Sequence, residues 1–133
     1  MKHDAVEFER VSSRAIWEDR VGYCRALRAG DLVFVTGTAP VDESGSGVHA
    51  VGDAYAQARR CLELIERAIA QFGVDRARIV RTRMFVTDIS RWEEFGRAHA
   101  EFFKDHRPTT SMVEVRRLID PDMLIEIEAD AVA

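Results

Sequence analysis

The sequence is poor in cysteine, in excess positive charge and in long apolar runs, and each shortage closes off a class of protein. Its two cysteines, Cys24 and Cys61, lie far apart and read as reduced thiols rather than a disulfide framework. The four histidines, His3, His49, His99 and His106, form no close ligand pair. A structural zinc site needs about four Cys or His ligands, so no metal is expected. No apolar stretch approaches the ~20 residues that cross a bilayer. Residues 1–5 carry acid early and lack an apolar secretory core, so the expectation is no signal peptide and a cytoplasmic location. With 19 Lys and Arg against 23 Asp and Glu, the net charge of −4 gives no general reason to bind a polyanion, and nucleic acid is not an expected partner.

What is present is an ordinary globular composition, 47% hydrophobic and 32% charged, sized for one core, so residues 1–133 are read as a single domain. Residues 5–11 alternate as a first strand. Trp17, Glu18 and Asp19 read as a loop, and residues 21–28 as a second strand ended by a turn at Gly30 and Asp31. Residues 32–36 are apolar on both sides and read as a central strand. Between residues 53 and 72 the apolar positions recur at three and four, which predicts an amphipathic helix with Asp53 as its N-cap and Gly73 at its end. Residues 78–86 give a fourth strand, with Arg81, Arg83 and Phe85 on one side and Val80, Thr82, Met84 and Val86 on the other. Ser90 and Glu93 have capping-box spacing for a second helix with the stripe Trp92, Phe95, His99, Phe102 and Phe103, and Pro108 stops it. Residues 107–115 and 124–129 supply two last alternating strands, read as neighbours in one sheet.

The predicted order β, β, β, α, β, α, β, β gives an α+β domain with two helices on one face of a six-stranded mixed sheet. Its second face would carry Glu126, Glu128, Arg81 and Arg83. A second copy of the chain is the simplest cover for a face so mixed, so a homo-oligomer with sites between subunits is expected. Carboxylates on a strand face need water or a ligand, which makes Glu126 and Glu128 the first candidates for a site. The plain alternative is a salt bridge to Arg81, Arg83 or Arg116. Cys61 sits on the buried stripe of the first long helix, and the aromatic stripe of the second reads as core.

Several stretches, taken in order, resemble the Rid family, also called YjgF or liver perchloric-acid-soluble protein. They are Gly22-Tyr23, Val35-Thr36-Gly37, the helix opening at residues 53–59, residues 80–88, Phe102-Phe103, residues 111–115 and residues 125–129. The resemblance implies a chorismate-mutase-like fold and a homotrimer with clefts between subunits. It also implies cofactor-free hydrolysis of 2-imino or 2-enamino acids to 2-oxo acids and ammonia. By alignment, Glu126 takes the place of the acid that positions water, Tyr23 that of the pocket tyrosine, and Thr36 with Gly37 the cleft-lining strand end. Met112 falls among the cleft residues. A cleft asparagine of the family falls on Gly96.

The family's arginine, which clamps a substrate carboxylate through two parallel hydrogen bonds, falls on Thr110. A hydrogen bond to a charged group contributes roughly 1.5 to 3 kcal/mol, so this departure bears on the ligand class, and an acidic cleft without the clamp disfavours an anion. Arg83 or Arg116 could bring a guanidinium in from another direction. The expected function is therefore hydrolysis of an imine, enamine or related small metabolite. The alternative is a non-catalytic carrier or sensor of the same fold. A third reading, endoribonuclease, follows only from a label that some relatives carry. Thr110 and Ser111 beside His106 lack the third member of a triad, so nucleophilic catalysis is not expected.

Overall fold

The computed structural model describes residues 5–13 and 15–133; the amino-terminal reading at residues 1–4, including His3, and Arg14 lie outside them. The strands are β1 (Phe8–Val11), β2 (Ala26–Ala29), β3 (Leu32–Thr38), β4 (Ile79–Val86), β5 (Thr109–Glu114) and β6 (Ile125–Val132). The helices are α1 (Ile16–Val21), α2 (Ala54–Ala70) and α3 (Trp92–Phe103). The strands form one sheet in the order β1-β2-β3-β6-β4-β5. Among the described residues only β4 and β5 pair in parallel; every other neighbouring pair is antiparallel. This is the chorismate-mutase-like α+β architecture, with α2 and α3 packed on one face.

Burial of that face explains the elements. Leu62, Ile65 and Ile69 of α2 and Phe95 and Phe103 of α3 are buried against Ile125, Ile127 and Ala129 of β6. Asp53 caps α2 as expected, its side chain accepting from the Ala56 N–H at 2.9 Å, and Gly73 follows the helix in the left-handed region at φ 73°. The hairpin between β2 and β3 turns at Gly30 with φ 61°.

Six sequence expectations need correction. Trp17, Glu18 and Asp19 belong to the short helix α1, which ends at Gly22 in the left-handed conformation. The same glycine keeps residues 21–25 out of a strand, so β2 begins only at Ala26. β5 and β6 share the sheet but are not neighbours, because the crossover through α3 lays β5 parallel to β4 on its far side. In β4 a bulge between Ile79 and Arg81 turns Ile79 into the core and leaves Val80 exposed. Ser90 does not cap α3; it donates to the Asp88 carboxylate in a 3-10 turn (Ile89–Arg91), and Trp92, as the first residue of the helix, stays 56% exposed rather than entering the core.

Candidate functional site

β6 divides its side chains by parity. Ile125, Ile127, Ala129 and Ala131 face the helices, and Glu126, Glu128 and Asp130 face away from them. The three acids then meet different neighbours. Glu128 and Asp130 lie 3.7 and 3.4 Å from the Arg83 guanidinium, and Arg81 reaches Asp130 at 3.9 Å. These are partly exposed pairs of the kind that contribute little to stability, and for Glu128 the salt-bridge alternative is the one observed. Glu126 stands apart from that ladder.

The neighbour of Glu126 is the backbone of β3. Val35 pairs with Ala129 and Thr38 with Ile127, so two residues of β3, Thr36 and Gly37, oppose the single Glu128 of β6. Bulges of this kind re-aim backbone beside functional positions. Here the bulge brings Gly37 against the Glu126 carboxyl: a Cβ on residue 37 would lie 3.0 Å from Glu126 Cδ and Oε2. Glycine is the residue that lets the two meet. The bulge is pinned by Thr38 Oγ1, which donates to the Thr36 carbonyl at 2.8 Å. Arg25 pins it too, its Nη1 donating to the Gly37 carbonyl and to Thr38 Oγ1, each at 3.3 Å.

Arg25 is the functional candidate that the sequence reading missed. Its Nε lies 4.0 Å from buried Glu18, its guanidinium stands 5.6 Å from the Tyr23 ring, and its charge also acts on Glu126. Burial raises the pKa of Glu126 above the ordinary carboxyl value; the nearby Arg25 charge opposes that and Glu128 adds to it. Glu18 goes the other way. Burial raises it, but hydrogen bonds from Ser13 and Ser12, with help from Arg25, leave its pKa lowered. The spacing of Tyr23 and Arg25, two apart before a strand, was the available signal.

Two cavities flank this centre and share Tyr23. One of about 650 Å³ is lined by Tyr23, Arg25, Gly37, Thr38 and Glu126. The other, about 760 Å³ on the uncovered sheet face, takes in Tyr23, Thr36, Arg83 and Glu128. Thus Tyr23, Thr36, Gly37 and Glu126 gather on one side of the molecule. Thr110, Met112 and Arg116 do not join them. Thr110 is exposed on the edge strand β5, Met112 packs along the core margin, and Arg116 lies beyond the end of β5. Arg83 cannot stand in for the missing clamp within one chain, because its partners are Glu128 and Asp130, and Thr110 lies on the side of the sheet where Thr82 is buried. Cys61 is fully buried and its pKa is pushed well up by that burial, so its thiol is inert. No cluster of three or more His, Cys, Asp or Glu able to hold a metal occurs among the described residues.

A match to the family Endoribonuclease L-PSP runs over residues 15–133. The chain belongs to this family, the YjgF or Rid family. Among Rid relatives, 3-aminoacrylate deaminase RutC of Acinetobacter baylyi is 36% identical over 109 residues, covering 82% of this chain and 85% of that protein. The crystal structure of Rv2704, a YjgF/YER057c/UK114 family member from Mycobacterium tuberculosis, superposes with a TM-score of 0.86 at 48% identity over 96% of this chain and 100% of that one. Escherichia coli TdcF, crystallised with bound serine, gives 0.79 at 28% identity, covering 98% and 99%. The Rid fold is therefore common to proteins described as a deaminase and as binding a small amino acid.

Proposed function

We propose that this chain hydrolyses a small imine or enamine in a cleft built around Glu126 and completed by the β5 edge of a second copy in a homotrimer. The observation that carries the reading is the Glu126 carboxyl, partly buried in a cavity against the bulged backbone at Gly37. Its pKa is raised by burial, which suits a group that must both take and return a proton. Glu126 would hold a water against the C=N carbon. The water oxygen bonds to that carbon as its proton passes to the carboxylate and on to nitrogen. Collapse of the resulting carbinolamine breaks the C–N bond, leaving a carbonyl and ammonia. An enamine enters the same course after protonation on carbon. Tyr23, Thr36 and Gly37 would shape the cleft, and Arg25 would hold the bulge and temper the charge of Glu126.

The deaminase description of a 36% identical relative supports the reaction class. The separation of Thr110 and Met112 from Glu126 supports the need for a second copy. So does the half-exposed apolar surface at Leu32 and Phe34 on the uncovered sheet face. The test is ammonia release from freshly generated imines, with Glu126→Ala as control. Release that is unaffected by the substitution sinks the mechanism.

A second reading is favoured by Thr110 itself. Without the guanidinium clamp the same cleft would serve a carrier or sensor, which turns over no imine yet gains melting temperature with ligand.

A further inference from the structure

Thr110 does not stand alone on its edge strand. In the parallel pair of β4 and β5 it lies opposite Thr82, and the Thr82 hydroxyl donates to Thr110 Oγ1 at 2.7 Å. Thr82 Oγ1 also lies 2.7 Å from His99 Nε2 of α3. Thr82 is fully buried and His99 nearly so.

A hydroxyl carries one proton, and that of Thr82 is spent on Thr110. Its contact with His99 therefore requires the imidazole to donate from Nε2, which fixes the tautomer. The chain runs His99 Nε2–H to Thr82 to Thr110, and it leaves the Thr110 proton for an acceptor outside the sheet. Hydrogen bonds in series polarise one another, so this terminal proton is a better and better-aimed donor than an isolated threonine would offer. The chain is neutral throughout, because burial lowers the His99 pKa to about 4.

We propose that Thr110 is a pre-oriented, uncharged hydrogen-bond donor that selects a ligand ending in a neutral carbonyl, an amide or ester, with Thr82 and His99 as its positioning residues. This rests on the reading above that the β5 edge closes the cleft around Glu126. The charge of that cleft agrees with it. Glu126, Glu128 and Glu18 have Arg25 and Arg83 beside them there, and those guanidiniums already act on the acids. A carboxylate ligand would meet the charge of these acids, whereas a neutral carbonyl needs only one donor.

The probes are pyruvamide and pyruvate, which share one skeleton and differ in the terminal group, titrated into the intact chain by calorimetry or NMR. Wild type is expected to bind pyruvamide about tenfold more tightly than pyruvate, and Thr82→Val to reduce amide affinity about fivefold without weakening the carboxylate, as loss of one aligned donor predicts. Thr82→Ser, which keeps the hydroxyl, should retain the preference, and Thr110→Arg should reverse it. A merely structural role for Thr82 would alter melting temperature without altering that ratio. Tighter binding of pyruvate by wild type, with an affinity that Glu126→Gln changes, overturns the neutral-donor proposal while leaving the cleft intact. Equal selectivity in wild type and Thr82→Val overturns it likewise. Binding of neither probe to wild type sinks both the donor and the cleft.

Discussion

Replacing Gly37 by alanine puts one methyl group where the Glu126 carboxyl now packs. The added carbon would stand 3.0 Å from Cδ and Oε2 and 3.3 Å from Oε1, whereas relaxed contacts between heavy atoms lie at about 3.5 to 4.0 Å. The carboxyl must therefore retreat by roughly half an ångström or more. Because the obstructing atoms end a side chain rather than lie in backbone, the retreat costs about the strain of an off-rotamer torsion, 0.5 to 1.5 kcal/mol. Gly37 lies outside the left-handed region, so alanine fits its backbone and gains about 0.4 to 1 kcal/mol by restricting the unfolded chain. The two effects nearly offset, and the expected shift in melting temperature is no more than a few degrees. What changes is titration. Burial is the largest cause of the raised Glu126 pKa, so a carboxyl displaced from its seat should titrate closer to the ordinary 4.5. Carbon-13 NMR of the glutamate carboxyls in wild type and Gly37→Ala measures this directly. An unchanged Glu126 titration in a folded variant refutes the close packing at the bulge.

Arg25→Met should raise the Glu126 pKa further, since the guanidinium lowers it now. By stripping the donor from the Gly37 carbonyl and Thr38 Oγ1, it should also destabilise the fold by about 1 to 3 kcal/mol in urea. A fall in that pKa would contradict the assigned electrostatics. His99 is lowered from 6.5 to about 4 in the fold, so in that window the unfolded chain binds more protons. Stability from this group is full above 6.5 and is lost as pH falls towards 4. Unfolding curves of His99→Phe should lose that acid slope, and an unaltered slope would show that another group is responsible. Leu62→Ala, at a site with no exposure, should cost about 2 to 5 kcal/mol, and Asp53→Ala, which removes a single capping bond, about 1 kcal/mol. Chemical denaturation that ranks the cap above the core would overturn the packing account.

Long periodic segments were readable because their pattern is enforced by burial. α2 shows its stripe over more than four turns, and β6 announces its two faces by strict alternation. α1 escaped because six residues hold too little periodicity, although the acids at Glu18 and Asp19 followed by Gly22 were a start and a stop signal. Adjacency in sequence misled the pairing of β5 with β6, and the crossover through α3 is what makes β5 a parallel partner of β4. Glu126, Tyr23, Thr36 and Gly37 were legible as one group through the family pattern. Arg25 was not, because its meaning depends on a bulge in β3 that no local pattern encodes. The path from His99 through Thr82 to Thr110 was hidden for the same reason: it joins a helix and two strands through contacts that only the folded sheet creates.

The alternation of β6 also limits how this protein can change over generations. A one-residue slip within the strand would send Ile125, Ile127 and Ala129 outward and the acids into the core, losing fold and site together. A shift of two residues keeps both faces and carries an acid from position 126 to 128. New chemistry on this strand is therefore open to inheritance in strides of two, and an acid can change its neighbour there more readily than its face.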